Sequence, residues 1–281
     1  MIGFLNVDKE SGKSSGYVVN RLKYLTGTPC GHMGTLDPLA SGVLPVGVGK
    51  ASRLFDFFLT KRKTYLATFR FGVSTDTLDS EGKITETTDY LPTREELLAA
   101  IPSLLGEVDQ VPPNYSAKSI GGRRGYALAR AGVDFTLPAK KVKIERISLL
   151  GGAGDTYDFE IVCGGGTYIR SIARDLAAAC ASLGIMTALR RTESGIFSEK
   201  ESVKLDCLTK ENIENYLIPT DSVLPFAPYT ADCETERKLL NGQRVRLPLE
   251  DGDYTYYLND ASFYGVLTVE EGISRVRIKL C

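Results

Sequence analysis

Between residues 31 and 49 the chain reads Gly31-His32-Met33-Gly34-Thr35-Leu36-Asp37-Pro38-Leu39-Ala40-Ser41-Gly42-Val43-Leu44-Pro45-Val46-Gly47-Val48-Gly49. Glycines that accept positive φ angles crowd one acid, and a strand-like Val-Leu-Pro-Val run follows. Backbone of this kind can bring the Asp37 carboxylate against a ligand or another chain segment. The spacing leaves a second reading open. Asp before Pro is also a common helix N-cap with proline at the first helical position, and such a start needs no chemistry.

At 281 residues the chain can bury a large core, and its length suggests about two domains. Its 43% hydrophobic and 25% charged content is that of an ordinary globular protein. Asp8 interrupts the N-terminus before a signal-peptide core forms, and no uncharged apolar run approaches a membrane span, which points to the cytoplasm. Cys30, Cys163, Cys180, Cys207, Cys233 and Cys281 are scattered without a Cys-x-x-Cys pair, and His32 is the single histidine. Neither a zinc site nor a disulfide framework is expected, and the cysteines read as reduced packing residues.

A net charge of −1 excludes a protein that holds nucleic acid by bulk electrostatics. Any RNA surface is therefore local. Basic residues cluster at Lys61-Arg62-Lys63, Arg123-Arg124, Lys140-Lys141 with Lys143, Arg190-Arg191, and Arg244 with Arg246. Asp76, Asp79, Glu81, Glu86, Glu95 and Glu96 concentrate acid elsewhere.

Gly3 to Val7 reads as a buried strand, followed by a turn whose serines are N-cap candidates for a helix through about Leu25. Gly12-Lys13-Ser14 invites comparison with a phosphate-binding loop, but that pattern needs a glycine where this chain has Val7. Lys63 to Phe71 alternates as a strand, with a turn at Asp79 to Gly82 and a partner strand near Lys83 to Glu86. Thr93 to Glu96 approximates a capping box for a helix that Pro102 kinks or ends.

Tyr115 to Gly132 is a polar, glycine-rich excursion that interleaves Lys118, Arg123, Arg124, Tyr126 and Arg130, which suits an RNA-facing flap. Lys140 to Leu150 and Phe159 to Cys163 read as strands, and Thr167 opens a helix towards Leu183. After Pro228 the character changes to a short helix, Glu234 to Leu240, and four small strands that together predict a separate mini-barrel.

The run Gly31 to Gly42 resembles the aspartate loop of the bacterial TruB family of tRNA pseudouridine synthases. Lys63-Thr64-Tyr65, Pro112-Pro113-Asn114-Tyr115-Ser116-Ala117-Lys118, Gly166-Thr167-Tyr168-Ile169-Arg170-Ser171 and Leu189-Arg190-Arg191-Thr192 match further family motifs in order. The family carries Lys-Pro where this chain has Lys9-Glu10. The resemblance implies an α/β (α+β) fold with a mixed, largely antiparallel central sheet flanked by helices. It also implies a catalytic domain over 1–228, an RNA-gripping insertion at about 115–135, and a PUA-like RNA-binding domain over 229–281. The substrate it implies is the uridine at position 55 in the T-loop of tRNA, isomerised without metal or cofactor by a monomer that needs no protein partner.

By that resemblance Asp37 is the catalytic residue, facing the sugar of an everted uridine as stabiliser, nucleophile or base. Arg170 is its partner, able to hold a carboxylate in two-pronged geometry and keep it ionised where burial would protonate it. Tyr65 stacks on the flipped base, Leu189 borders the uracil, Tyr168 lines the same pocket, and His32 helps hold the everted loop. Lys118, Arg123, Arg124 and Arg190 are the implied RNA contacts. A non-catalytic RNA chaperone is the alternative that an intact Asp37, Tyr65 and Arg170 speaks against.

Overall fold

The computed structural model describes residues 1–59, 61–115, 119–120, 123–124 and 137–280. Strand β1 (Gly3–Lys9) sends Leu5 and Val7 to one side of a sheet and Phe4 to the other, so both sides of it must be covered. Helix α1 (Ser15–Thr26) follows, capped by the Ser14 side chain and closed by Gly27 at φ 63°. Then come β2 (Cys30–His32), β3 (Ser41–Val48), α2 (Phe55–Leu59), β4 (Lys63–Phe71), β5 (Val73–Thr75) and β6 (Ile84–Thr87). Helix α3 (Arg94–Ala100) carries the expected Thr93 and Glu96 capping box, and Pro102 turns its end into a 3-10 turn.

The chain continues through β7 (Gly106–Gln110), β8 (Ser119–Ile120), β9 (Arg123–Arg124), β10 (Lys140–Ala153), β11 (Thr156–Cys163), α4 (Ile169–Ala179), β12 (Gly184–Ser194), β13 (Phe197–Ser198) and β14 (Val203–Lys204). Among the described residues a ten-stranded sheet has the path β14-β1-β3-β12-β4-β11-β10-β7, with β13 on β12 and β2 on β3. Only the β1–β14 and β3–β12 pairings are parallel in it, so the sheet is mixed and largely antiparallel as expected.

Pro45 sits inside a central strand, where a missing N–H usually breaks a ladder. It falls in a gap: on that flank β12 pairs only at Ser41 and Gly42, and β2 only from Val46.

Residues Val18 and Leu22 of α1, Leu97 of α3 and Ile172, Ala173 and Leu176 of α4 pack with Leu5, Leu44, Tyr65, Phe69, Phe159 and Leu189 into one core. This side of the sheet carries α1, α3 and α4. Phe4, Val43, Leu54, Phe58 and Phe197 form a second cluster that also takes in Val266 and Leu280. Those last two belong to the C-terminal part: β15 (Ala227–Thr230), α5 (Cys233–Leu240), β16 (Val245–Arg246), β17 (Gly252–Tyr257), β18 (Phe263–Glu270) and β19 (Ile273–Lys279).

Its five strands form their own sheet, ordered β15-β17-β18-β19-β16. Strand β15 has no counterpart among the strands expected from sequence. Pro228 conceals it, and is tolerated because β15 is an edge. Of the described cysteines, Cys30 and Cys163 are buried, Cys180 is half-buried, and Cys207 and Cys233 are exposed rather than core residues. Among the described residues no helix is long and apolar enough to cross a membrane.

Candidate active site

No helix follows Asp37. Ala40 N donates to Asp37 O at 3.1 Å, so Asp37-Pro38-Leu39-Ala40 is a tight turn with proline at its second position, and the N-cap reading falls. The turn is tied down on one side by α1. Ser15 Oγ donates to Leu36 O at 2.8 Å and accepts from Leu36 N at 2.9 Å, and Gly12 N donates to Pro38 O at 2.8 Å. The Lys9 ammonium, wholly buried at the end of β1, donates to the carbonyls of Glu10, Lys13 and Pro38 at 2.9, 2.5 and 3.2 Å. Gly42 then lets β3 approach β12: at φ 98°, a Cβ there would stand 2.2 Å from Arg191 O.

Arg170 enters from the first turn of α4, with only 6% of its surface exposed. Its Nη2 lies 2.9 Å from Asp37 Oδ2 and donates to Tyr115 O at 3.1 Å. Nη1 donates to Thr77 O at 2.9 Å and lies 3.4 Å from Asp79 Oδ2. Asp79 is itself fixed, since its Oδ1 accepts from Thr77 Oγ1 at 2.6 Å and Glu81 N at 3.1 Å. One guanidinium thus joins a buried structural carboxylate to the half-exposed one of the turn.

A cationic floor underlies the turn. Arg191 is 1% exposed, with Nε donating to Val43 O at 2.7 Å and Nη2 to Gly34 O at 3.1 Å. Tyr65 is its register partner on β4. Burial pushes the Tyr65 phenol up to about 12, with the Arg191 charge pulling the other way. Burial brings the Lys9 and Lys63 ammonium groups down to about 8, reinforced at both by Arg191 and opposed at Lys9 by Asp37. The His32 imidazole is held below its ordinary value by burial and then by Arg191, and its buried Nδ1 has no hydrogen-bond partner among the described residues.

Residues 23–169 match the family described as TruB family pseudouridylate synthase (N terminal domain). The chain belongs to that family.

Among its relatives, tRNA pseudouridine synthase B of Clostridium kluyveri is 36% identical over 274 residues, covering 95% of each chain. The enzyme of the same name from Anaplasma marginale is 42% identical over 232 residues, which is 82% of this chain and 75% of that one. The fold is similar to that in a structure of an H/ACA RNP bound to a substrate RNA containing 2'-deoxyuridine, with a TM-score of 0.72 at 20% identity over 99% of this chain and 85% of that one. A Cbf5-Nop10-Gar1 complex gives 0.71 at 21% identity, over 99% and 84%.

Within this TruB chain the structure brings Asp37, Tyr65 and Arg170 into one neighbourhood from the turn, β4 and α4. Leu189 lies on β12 opposite Ala67, facing the same core as Tyr65. Tyr168 is the N-cap residue of α4. Beside the turn, a cavity of about 610 Å³ runs from Leu39 and Ser41 past Leu189 to Leu66, Thr68 and Leu150. Asp37, Tyr65 and Arg170 are not in its wall, so the ion pair rather than this hollow marks the site.

Arg190 points elsewhere. Its guanidinium meets Asp8 at 3.0 Å and Glu199 at 2.9 Å, so its charge is balanced within the chain. Lys118 and the side chains of Arg123 and Arg124 lie outside the described residues.

Sequence reasoning placed Asp79 in an acidic region apart from the site. The structure brings it onto Arg170, because the Thr75–Asp79 turn docks on β12 through Leu78 O and Ser80 N, both bonded to Met186 at 3.1 Å. No pattern in the chain announces that docking. Arg191 and Lys9 were equally without a role, because only the structure extends β1 to Lys9 and places Arg191 inside β12.

Proposed function

We propose that this protein isomerises the uridine at position 55 in the T-loop of tRNA to pseudouridine. Relatives named tRNA pseudouridine synthase B that align over most of the chain support the substrate class. The observation that carries the chemistry is the 2.9 Å pair between Asp37 and Arg170.

The reaction breaks the C1′–N1 bond, turns the uracil while it is held, joins C1′ to C5, and moves a proton from C5 to solvent while N1 regains one. Charge develops on the sugar as the first bond breaks. A carboxylate at C1′ stabilises it or attacks it, and Asp37 is the half-exposed carboxylate that a buried guanidinium meets at one oxygen. The phenol of Tyr65 stays protonated at neutral pH, so it serves first as a ring under the loose base and as a hydrogen-bond donor. Leu189 and Tyr168 border the base, and His32, neutral and partly buried, helps hold the loop from which it is everted.

Residues 229–281 act as a PUA-like RNA-binding domain beside a catalytic domain over 1–228. The insertion at about 115–135 grips the T-arm through Lys118, Arg123 and Arg124, while Arg190, its guanidinium shared between Asp8 and Glu199, is a fourth contact. One tRNA is served by one cytoplasmic monomer.

Tritium release from tRNA labelled at uracil C5 tests the proposal. Wild-type protein releases the label, and Asp37→Asn binds the same tRNA and releases none. Label retained with wild type, or released at the wild-type rate by Asp37→Asn, overturns it.

A further inference from the structure

Helix α4 has to present Arg170 as its second residue, yet its N-cap residue, Tyr168, supplies no side-chain cap. The anchoring comes from a different strand. Gln110, the last residue of edge strand β7, is 2% exposed, and its amide bonds both backbone groups of Tyr168. Tyr168 N donates to Gln110 Oε1 at 2.8 Å, and Gln110 Nε2 donates to Tyr168 O at 3.2 Å. A glutamine side chain offers a donor and an acceptor side by side, so it pairs with a peptide much as a neighbouring strand would.

The next residue extends the clamp. Val111 O accepts from Ser171 Oγ at 2.9 Å and from Arg174 Nη2 at 3.0 Å. Four hydrogen bonds from two consecutive residues therefore fix the first two turns of α4, on either side of Arg170, against the sheet edge.

We propose that Gln110 is a positioning residue for the reaction: by pairing with the Tyr168 peptide it sets the start of α4, and so the approach of Arg170 to Asp37. This rests on the function proposed above. The effect passes through Tyr168 and Arg170; Gln110 itself touches neither Asp37 nor substrate. Its consequence falls on the chemical step rather than on tRNA affinity, because a guanidinium displaced by a fraction of an ångström still attracts a carboxylate but no longer holds its oxygen in place.

Two variants test this in single-turnover tritium release at saturating labelled tRNA, with Kd measured separately. Gln110→Met fills the space and removes both bonds; its rate falls between about tenfold and a hundredfold with Kd within threefold of wild type. Gln110→Glu titrates the clamp. When protonated, the carboxyl keeps an acceptor for Tyr168 N and a donor for Tyr168 O. When ionised, it sets a second acceptor against Tyr168 O, and burial raises the pH at which this happens.

The ratio of its rate to the wild-type rate therefore rises as pH is lowered from 8 to 5.5. A flat ratio, or a Gln110→Met rate within twofold of wild type, overturns the proposal. If Gln110→Met fails to fold, Gln110→Glu compared with itself across pH decides alone. Failure of the wild type to release label strikes the proposed function instead.

Discussion

Replacing Arg170 by lysine is the sharpest test of the site. The guanidinium holds Asp37 at 2.9 Å, Asp79 at 3.4 Å, and the carbonyls of Thr77 and Tyr115 at 2.9 and 3.1 Å. An ammonium is a single point and cannot serve partners spread around a planar fork. Whichever carboxylate it keeps, the other is released. A charged hydrogen bond contributes about 1.5–3 kcal/mol. Water screens part of this at Asp37, whose side chain is 36% exposed, so the orientation lost is worth about 1–2 kcal/mol. At 1.36 kcal/mol per decade the single-turnover rate falls roughly 5- to 30-fold. Tritium release at saturating tRNA measures it, with Kd to show that binding persists and a thermal melt to show that the variant is folded. A folded Arg170→Lys that reacts within threefold of wild type refutes the pairing as the source of the chemistry.

Asp79→Asn keeps the size of the side chain but removes the charge that braces Arg170 from behind, and should slow the same step about tenfold without changing Kd, as single-turnover rates will show. Gly42→Ala should lower stability by about 2 kcal/mol or more, read as a fall in the urea midpoint, because its Cβ would stand 2.2 Å from Arg191 O and part β3 from β12. Lys9 and Lys63 lose their protons near pH 8 in the native chain but near 10.5 when unfolded, so from about pH 8 to 9 the unfolded state binds more protons and stability rises with pH. Above that interval Cys163, at about 11, and Tyr65, at about 12, keep protons that the unfolded chain loses, so the rise weakens and is cancelled near about pH 10. Urea unfolding at pH 7.5 and 9 checks the rise, and Lys63→Met should show less of it.

Much of the fold was legible because its signals are local. Lys63 to Phe71 alternates cleanly and forms β4 with those bounds, and Thr93 to Glu96 caps α3 through the predicted pair of bonds. Strands β7 and β12 were not assigned: β7 is mostly exposed, and β12 carries two register shifts against β4 that break its alternation. The aspartate, tyrosine and arginine of the site were named from motifs. Their meeting could not be read from spacing, since α4 reaches Asp37 only after the sheet has brought distant segments together.

What the sequence determined by itself is the chemistry on offer: an acid in a glycine loop, an arginine at a helix start, a tyrosine on a strand, and family membership. What only the tertiary structure decided is how those groups are held. A turn rather than a helix follows Asp37, Asp79 stands behind Arg170, a buried Arg191 floors the site, and Gln110 grips the Tyr168 peptide. The last three are contacts between residues far apart in the chain, made by hydrogen-bonding groups that burial compels to find partners, and a linear pattern does not say which partner burial will supply.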